Sequence, residues 1–215
     1  MIFPEVFDGK VMGFFTDRNS AMDMPALTSR KVYMPRQEHT SDIVDIEDDL
    51  DVVSADACFT LRHDIMLGVK TADCVPMLLF DPLHEAMGAV HAGWRGTAMG
   101  LASKSIRHMT ERYGSDPADI LLAIGPAIRW CCYEVQKEVL EQVMTATGEG
   151  EYHKIKDGRI CLDLQSANRI QAENEGVLPR HISLIEECTF CYPDKFYSYR
   201  YDKTDKRQGA FIGMP

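Results

Sequence analysis

Apolar residues fall in short runs along the first half of the chain and in helically spaced stripes through much of the second. The runs at 11–15, 31–34, 43–46, 57–60 and 65–69 predict strands, set off by polar loops such as 17–20. Two richer runs, 75–80 and 87–90, predict buried strands joined by a turn at Asp81-Pro82. Leu101, Ala102, Ile106, Met109 and Tyr113 recur at helical spacing, which predicts a helix over 97–113 with Gly114 as its stop. A strand is expected at 120–124, ending at Gly125-Pro126, then a helix over 135–145 that ends near Gly148 and a polar loop over 149–158. Asp163 suits the N-cap of a helix reaching Glu175, with Gly176 at its end, and 182–185 and 209–212 read as closing strands. Strands and helices mix without strict alternation, so the pattern points to an α+β fold rather than a doubly wound sheet. No repeat, linker or low-complexity segment interrupts residues 1–215, which are expected to form a single domain.

Composition narrows the partners. The 215 residues are 45% apolar and 26% charged, as in an average soluble globular protein. A formal charge of −10 argues against nucleic acid and acidic membranes, both of which attract basic surfaces, but leaves room for a small anion in a locally basic pocket. The acidic run 47–51 reads as a solvated loop. Seven cysteines, an odd number without the spacing of a secreted scaffold, suggest reduced thiols and a cytoplasmic protein. The first ten residues, MIFPEVFDGK, lack the basic start and apolar core of a signal peptide. No apolar stretch approaches the roughly 20 residues of a membrane span.

Chemistry concentrates in 71–97, TADCVPMLLFDPLHEAMGAVHAGWRGT. Cys74 stands at the mouth of one apolar run and His91 at the end of the next, so pairing of the two strands would bring both to one sheet edge. His39 is a third residue at a strand–loop junction. Two imidazoles and a thiolate leave a fourth tetrahedral position open, as in a catalytic zinc site, whereas Cys74 and His91 alone suit a nucleophile and its base. Gly93-Trp94-Arg95-Gly96-Thr97 opens a helix, where Arg95 and the N–H groups of Gly96 and Thr97 suit an anion; a tight turn that needs glycine is the plain alternative. Asp73 and Glu134 adjoin candidate residues and suit a general base, a hydrogen-bond partner of a ligand, or ordinary surface use. Cys188-Thr189-Phe190-Cys191 is one C-x-x-C with no matching pair, half a zinc ribbon at best, which favours a structural or incidental role. Cys131 and Cys132 are adjacent and poorly placed to bridge each other. Nucleobase-deaminase, P-loop and dinucleotide signatures are absent.

Several motifs together resemble one family. They are HTSDIV at 39–44, TADCVP at 71–76, HAGWRG at 91–96, Gly125-Pro126 followed by CYEV at 132–135, Asp163-Leu164 with ANRIQ at 167–171, Cys188-Thr189, and FYSYR at 196–200. The resemblance is to the YfiH-type laccase-domain family, also called multicopper polyphenol oxidases and purine nucleoside phosphorylases, and runs from about His39 onward. It implies a layered α/β/β/α fold and a metal site at His39, Cys74 and His91. It also implies phosphorolysis of purine nucleosides and deamination of adenosine, with bacterial relatives linked to editing of cell-wall precursors. The family's Phe-x-Thr-Arg stretch appears here as Phe14-Phe15-Thr16-Asp17-Arg18 with a shortened follow-on, and Thr40 replaces the usual glycine after the first histidine.

The reading that results is a zinc-dependent enzyme acting on purine nucleosides and phosphate, a monomer or homodimer. Cys74, His91 and Asp73 are its expected catalytic residues, and Arg95, Gly96, Thr97, Glu134 and Arg200 its substrate and anion contacts. The rivals are a cysteine hydrolase built on Cys74 and His91, a copper-dependent polyphenol oxidase, and a metal- or nucleotide-binding module without turnover. Copper is a possible ion, but the oxidase ranks behind zinc chemistry: seven histidines without an H-x-H pair are a poor basis for several copper centres.

Overall fold

The computed structural model describes residues 1–20 and 30–215. The follow-on of the Phe14–Arg18 stretch, at 21–29, lies outside the described residues. The elements in chain order are β1 (Met12–Phe15), β2 (Lys31–Tyr33), β3 (Ile43–Asp45), β4 (Ala57–Thr60), β5 (Ile65–Thr71), β6 (Val75–Asp81) and β7 (Ala86–Ala92). Two helices follow, α1 (Trp94–Ala98) and α2 (Leu101–Tyr113), then β8 (Leu121–Ile124), β9 (Glu134–Val135) and α3 (Lys137–Thr147). The rest is β10 (His153–Lys156), β11 (Arg159–Leu162), α4 (Leu164–Asn174), β12 (Ile182–Leu184), α5 (Tyr199–Asp202) and β13 (Gln208–Gly213).

Two mixed sheets form the centre. One has six strands in the order β12-β8-β6-β7-β4-β3, the other four in the order β1-β13-β5-β2. Side chains alternate along β6, so Val75, Met77 and Leu79 pack with the helices while Leu78 and Phe80 pack with Leu67, Val69 and Ile212 of the four-stranded sheet. Both faces of β6 are thus buried, which is why its sequence is a continuous apolar run without polar alternation. The helical side of the six-stranded sheet is covered by Leu101, Ile106 and Met109 of α2 with Leu164, Ala167 and Ala172 of α4. The outcome is the expected α+β fold with mixed sheets.

Differences from the sequence pattern have local causes. The helix expected over 97–113 is two helices, because Gly100 takes a left-handed φ of 72° and turns the chain between them. The expected loop over 149–158 contains β10, which pairs with β11 around Asp157-Gly158, both at positive φ (50° and 75°), as a two-residue hairpin turn requires. Asp163 caps α4 as expected, its carboxylate accepting the Ser166 N–H at 3.2 Å.

Candidate active site

The antiparallel register of β6 and β7 pairs Val75 with Ala92, which puts Cys74 and His91 at one sheet edge as the sequence suggests. His39 reaches them from the loop before β3, held at φ 61°, a left-handed conformation uncommon outside glycine. Its Nε2 lies 3.9 Å from Cys74 Sγ, and its ring meets that of His91 edge-on with centroids 4.9 Å apart. One donor atom from each of the three lies within 4.8 Å of the other two.

A buried carboxylate organises the trio. Asp56 Oδ1 is 2.6 Å from His91 Nδ1, while Oδ2 accepts the Thr40 N–H at 2.7 Å, the Thr40 hydroxyl at 3.0 Å and the Glu38 N–H at 3.1 Å. One side chain therefore orients His91 and fixes the loop that carries His39. Burial pushes the Asp56 carboxyl up, but the bonds from His91 and Thr40 outweigh it and hold the group down at about 2. Burial also works against the charged forms of Cys74 and His91. Their mutual attraction wins, with His39 and Asp56 assisting, so the thiol falls to about 6 and the imidazole rises to about 9. A thiolate–imidazolium pair results.

The donor set fits a metal ion. A soft sulfur and two imidazole nitrogens are zinc-type ligands, and three of them leave a position for a substrate atom. Gly93 adds a second sign of fit: a Cβ there would stand 3.0 Å from Cys74 Sγ and 3.1 Å from His39 Cδ2. Its φ of −73° needs no glycine, so the residue type is set by close approach to the ligand trio. Among the described residues, this is the only cluster of three or more possible metal ligands that contains histidine.

The trio opens into a cavity of about 700 Å³. Five cations line it, Arg36, Lys70, Arg200, Lys203 and Arg207, together with the aromatic rings of Trp94, Tyr133 and Tyr199. Arg200 lies over Tyr133 at 5.1 Å and Lys203 over Tyr199 at 4.8 Å. Burial and the nearby Cys74 thiolate push the Tyr133 phenol up to about 12, so it stays a neutral O–H donor.

The remaining expected residues are distributed unevenly. Asp73 lines the cavity at φ 97°, but both of its oxygens are taken, one by the Thr189 hydroxyl and the other by the Arg200 N–H, each at 2.7 Å. Arg200 also lines the cavity. Arg95, Gly96 and Thr97 do not line it: Arg95 is exposed and stacks on Trp94 at 4.6 Å, and Gly96 and Thr97 are buried. The Thr97 hydroxyl bonds the Gly93 carbonyl and Asn168, which leaves it nothing to offer an anion. Glu134 turns its carboxylate to Arg159 at 3.6 Å, and only its carbonyl meets Arg200. Asp56 and the cations at 36, 70, 203 and 207 were not singled out from sequence; a lone acid before an apolar strand was the only signal for the first.

Comparison with known proteins identifies the relatives of this chain. The profile of the family described as multi-copper polyphenol oxidoreductase laccase matches residues 15–215. Purine nucleoside phosphorylase YlmD of Bacillus subtilis is 33% identical over 164 residues, 75% of this chain and 59% of the relative. Its namesake in Geobacillus stearothermophilus is 39% identical over 166 residues, 75% of this chain and 61% of the relative. The aligned part thus spans about three fifths of these two relatives' length. The crystal structure of YlmD from Geobacillus stearothermophilus superposes with a TM-score of 0.88 at 29% identity, covering 97% of this chain and 93% of that one. The chain belongs to the multi-copper polyphenol oxidoreductase laccase family, as the TADC and HAGWRG motifs suggest.

Proposed function

We propose that this chain, acting as one domain over 1–215, is a zinc-dependent purine nucleoside enzyme that cleaves adenosine or inosine with phosphate and also deaminates adenosine. The observation that carries the reading is one cavity joining a Cys-His-His trio to five cations and three aromatic rings, in a chain of net charge −10. Cations concentrated in an acidic protein suit a phosphate, and the rings suit a purine face. The names of the relatives, purine nucleoside phosphorylases, point the same way.

In phosphorolysis, a phosphate oxygen bonds to C1′ of the ribose as the C1′–N9 bond breaks. The electron pair of that bond leaves with the purine, which takes up a proton. Arg200 and its neighbouring cations hold the phosphate and offset its charge. Tyr133 donates a hydrogen bond from its neutral phenol. Asp73 accepts from the Thr189 hydroxyl and the Arg200 N–H and so positions the Arg200 segment. His39, Cys74 and His91 would hold the metal, and Asp56 fixes the orientation of the His91 imidazole. At that position zinc would supply Lewis-acid chemistry, for polarising the substrate or for deamination.

The test compares zinc-loaded with metal-free protein on inosine, with and without phosphate. Hypoxanthine and ribose 1-phosphate are expected only when metal and phosphate are both present, and adenosine should give inosine without phosphate. Full phosphorolysis by metal-free protein would overturn the zinc assignment.

The thiolate–imidazolium pair specifically favours a second reading, a cysteine hydrolase with Cys74 as nucleophile and His91 as the base that has already taken its proton. That reading predicts hydrolysis of an amide by metal-free protein and inhibition by zinc.

A further inference from the structure

Four of the other cysteines converge where two loops meet, each loop also carrying a residue at the trio cavity or bonded to one that lines it. Cys131 and Cys132 lie in the turn after β8, and Cys188 and Cys191 in the loop after β12. The turn is closed by the Cys132 and Tyr133 N–H groups, both donating to the Arg129 carbonyl at 2.9 Å. In a turn, unlike a strand, adjacent side chains need not point to opposite faces, and here both thiols meet the same partner. Cys191 Sγ lies 3.3 Å from Cys132 Sγ and 3.5 Å from Cys131 Sγ, and all four sulfurs fall within 4.8 Å of one another.

These separations decide between two chemistries. A disulfide needs sulfurs about 2.0 Å apart, whereas four thiolates around a tetrahedral zinc, each about 2.3 Å from the ion, stand about 3.8 Å from one another. The observed separations, 3.3 and 3.5 Å with all four sulfurs inside 4.8 Å, are far too long for a disulfide and bracket the tetrahedral spacing, and all four cysteines are free. Cys188, the buried member, accepts the Arg129 N–H on its sulfur at 3.4 Å, an outer bond of the kind that steadies a metal thiolate. Lys156 and Arg159 line a second, separate cavity beside Cys131 and Cys132, with Glu134 and Asp157 also on its wall.

We propose that Cys131, Cys132, Cys188 and Cys191 form a tetrahedral four-thiolate zinc site, a structural centre separate from the His39–Cys74–His91 trio. It staples two loops with direct roles at the cavity. Tyr133 follows Cys132 and lines the cavity; Thr189 follows Cys188 and donates its hydroxyl to Asp73. The inference stands on the sulfur positions alone and does not depend on the function assigned to the trio.

The test is zinc content of protein purified under reducing conditions with zinc supplied. Wild type should hold about two zinc ions per chain, Cys74→Ala about one, and Cys74→Ala with Cys191→Ser none. Cobalt in the Cys74→Ala protein should give the intense sulfur-to-metal absorption of a four-thiolate site. Should the double variant fail to fold, the unmutated protein decides. Cys131 and Cys191 are exposed, yet they should resist iodoacetamide in zinc-loaded protein and react once a chelator removes the ion. Cys74→Ala protein that holds no zinc, equal alkylation with and without zinc, or a disulfide from Cys191 to either neighbour would each overturn the proposal.

Discussion

Asp56 and His91 meet at 2.6 Å through Oδ1 and Nδ1, both side chains buried. With Nδ1 committed to the carboxylate, Nε2 is the nitrogen left to face a ligand. Replacing Asp56 with alanine frees the ring and also releases the N–H groups of Glu38 and Thr40. Metal affinity should fall about 10- to 100-fold, read by competition against a chelator, with phosphorolysis falling in step. Unchanged affinity would show that the trio needs no such support.

Cys74 reports on occupancy. A thiol held at about 6 is mostly thiolate at neutral pH and reacts quickly with iodoacetamide when free. A bound ion shares its charge and slows the reaction. Chelation should therefore abolish turnover and speed alkylation of Cys74 together, and zinc should reverse both. Activity that survives chelation would instead favour the hydrolase.

Arg200→Gln tests the anion seat without disturbing Asp73, which is held by the backbone N–H of residue 200 rather than its side chain. Loss of one charge-assisted contact of about 1.5–3 kcal/mol should raise the KM for phosphate about 10- to 100-fold. The KM for nucleoside should change far less. Equal effects on both substrates would place the phosphate elsewhere.

Gly93→Ala introduces a methyl group 3.0 Å from Cys74 Sγ and 3.1 Å from His39 Cδ2. The expected outcome is weaker zinc binding with the fold retained, and a Tm lower by about 2–8 °C. Zinc affinity equal to wild type would mean that the trio has room the structure does not show.

Asp81 gives a stability signal away from the cavity. It closes the β6–β7 turn, accepting the Leu83 N–H at 2.8 Å and contacting His84 Nδ1 at 2.7 Å. Burial pushes its carboxyl up, and the polar groups around it, Ser115, His84 and the N–H groups of Leu83 and His84, bring it below the ordinary value. A lowered folded value means stability that is fully present above about pH 4 and lost as pH falls through the folded value. Asp81→Ala should cost about 1–3 kcal/mol at pH 7, and its gap to wild type should narrow in acid unfolding below about pH 4. A gap independent of pH would assign the loss to packing alone.

Much of this was readable because the central hairpin is doubly buried. Uninterrupted apolar runs marked β6 and β7, and a tight connection made them antiparallel neighbours, so the meeting of Cys74 and His91 followed from register. Asp56 was not readable, since its partner lies across the β4–β7 ladder, 35 positions away. The β10–β11 hairpin escaped because it is half-solvated, with Ile155 74% exposed, so its alternation carries little apolar signal. The C-x-x-C lacked a visible mate because Cys131 and Cys132 reach it through a turn, a geometry no fixed spacing encodes. The cavity's cations were equally hidden: they come from three separate segments, at 36, 70 and 200–207, and gather only on folding.

The position of β13 has a kinetic consequence. This last strand lies between β1 and β5, inside the four-stranded sheet, and Asp73 is held by Thr189 and Arg200, 116 and 127 residues further on. Contacts so distant in sequence form late, because a long loop must close before they are made. On the ribosome, the ligand trio would emerge early while its surroundings waited for nearly the whole chain. Until then the Cys74 thiol has no finished pocket around it, and the nascent chain passes through an interval in which that thiol is open to oxidation.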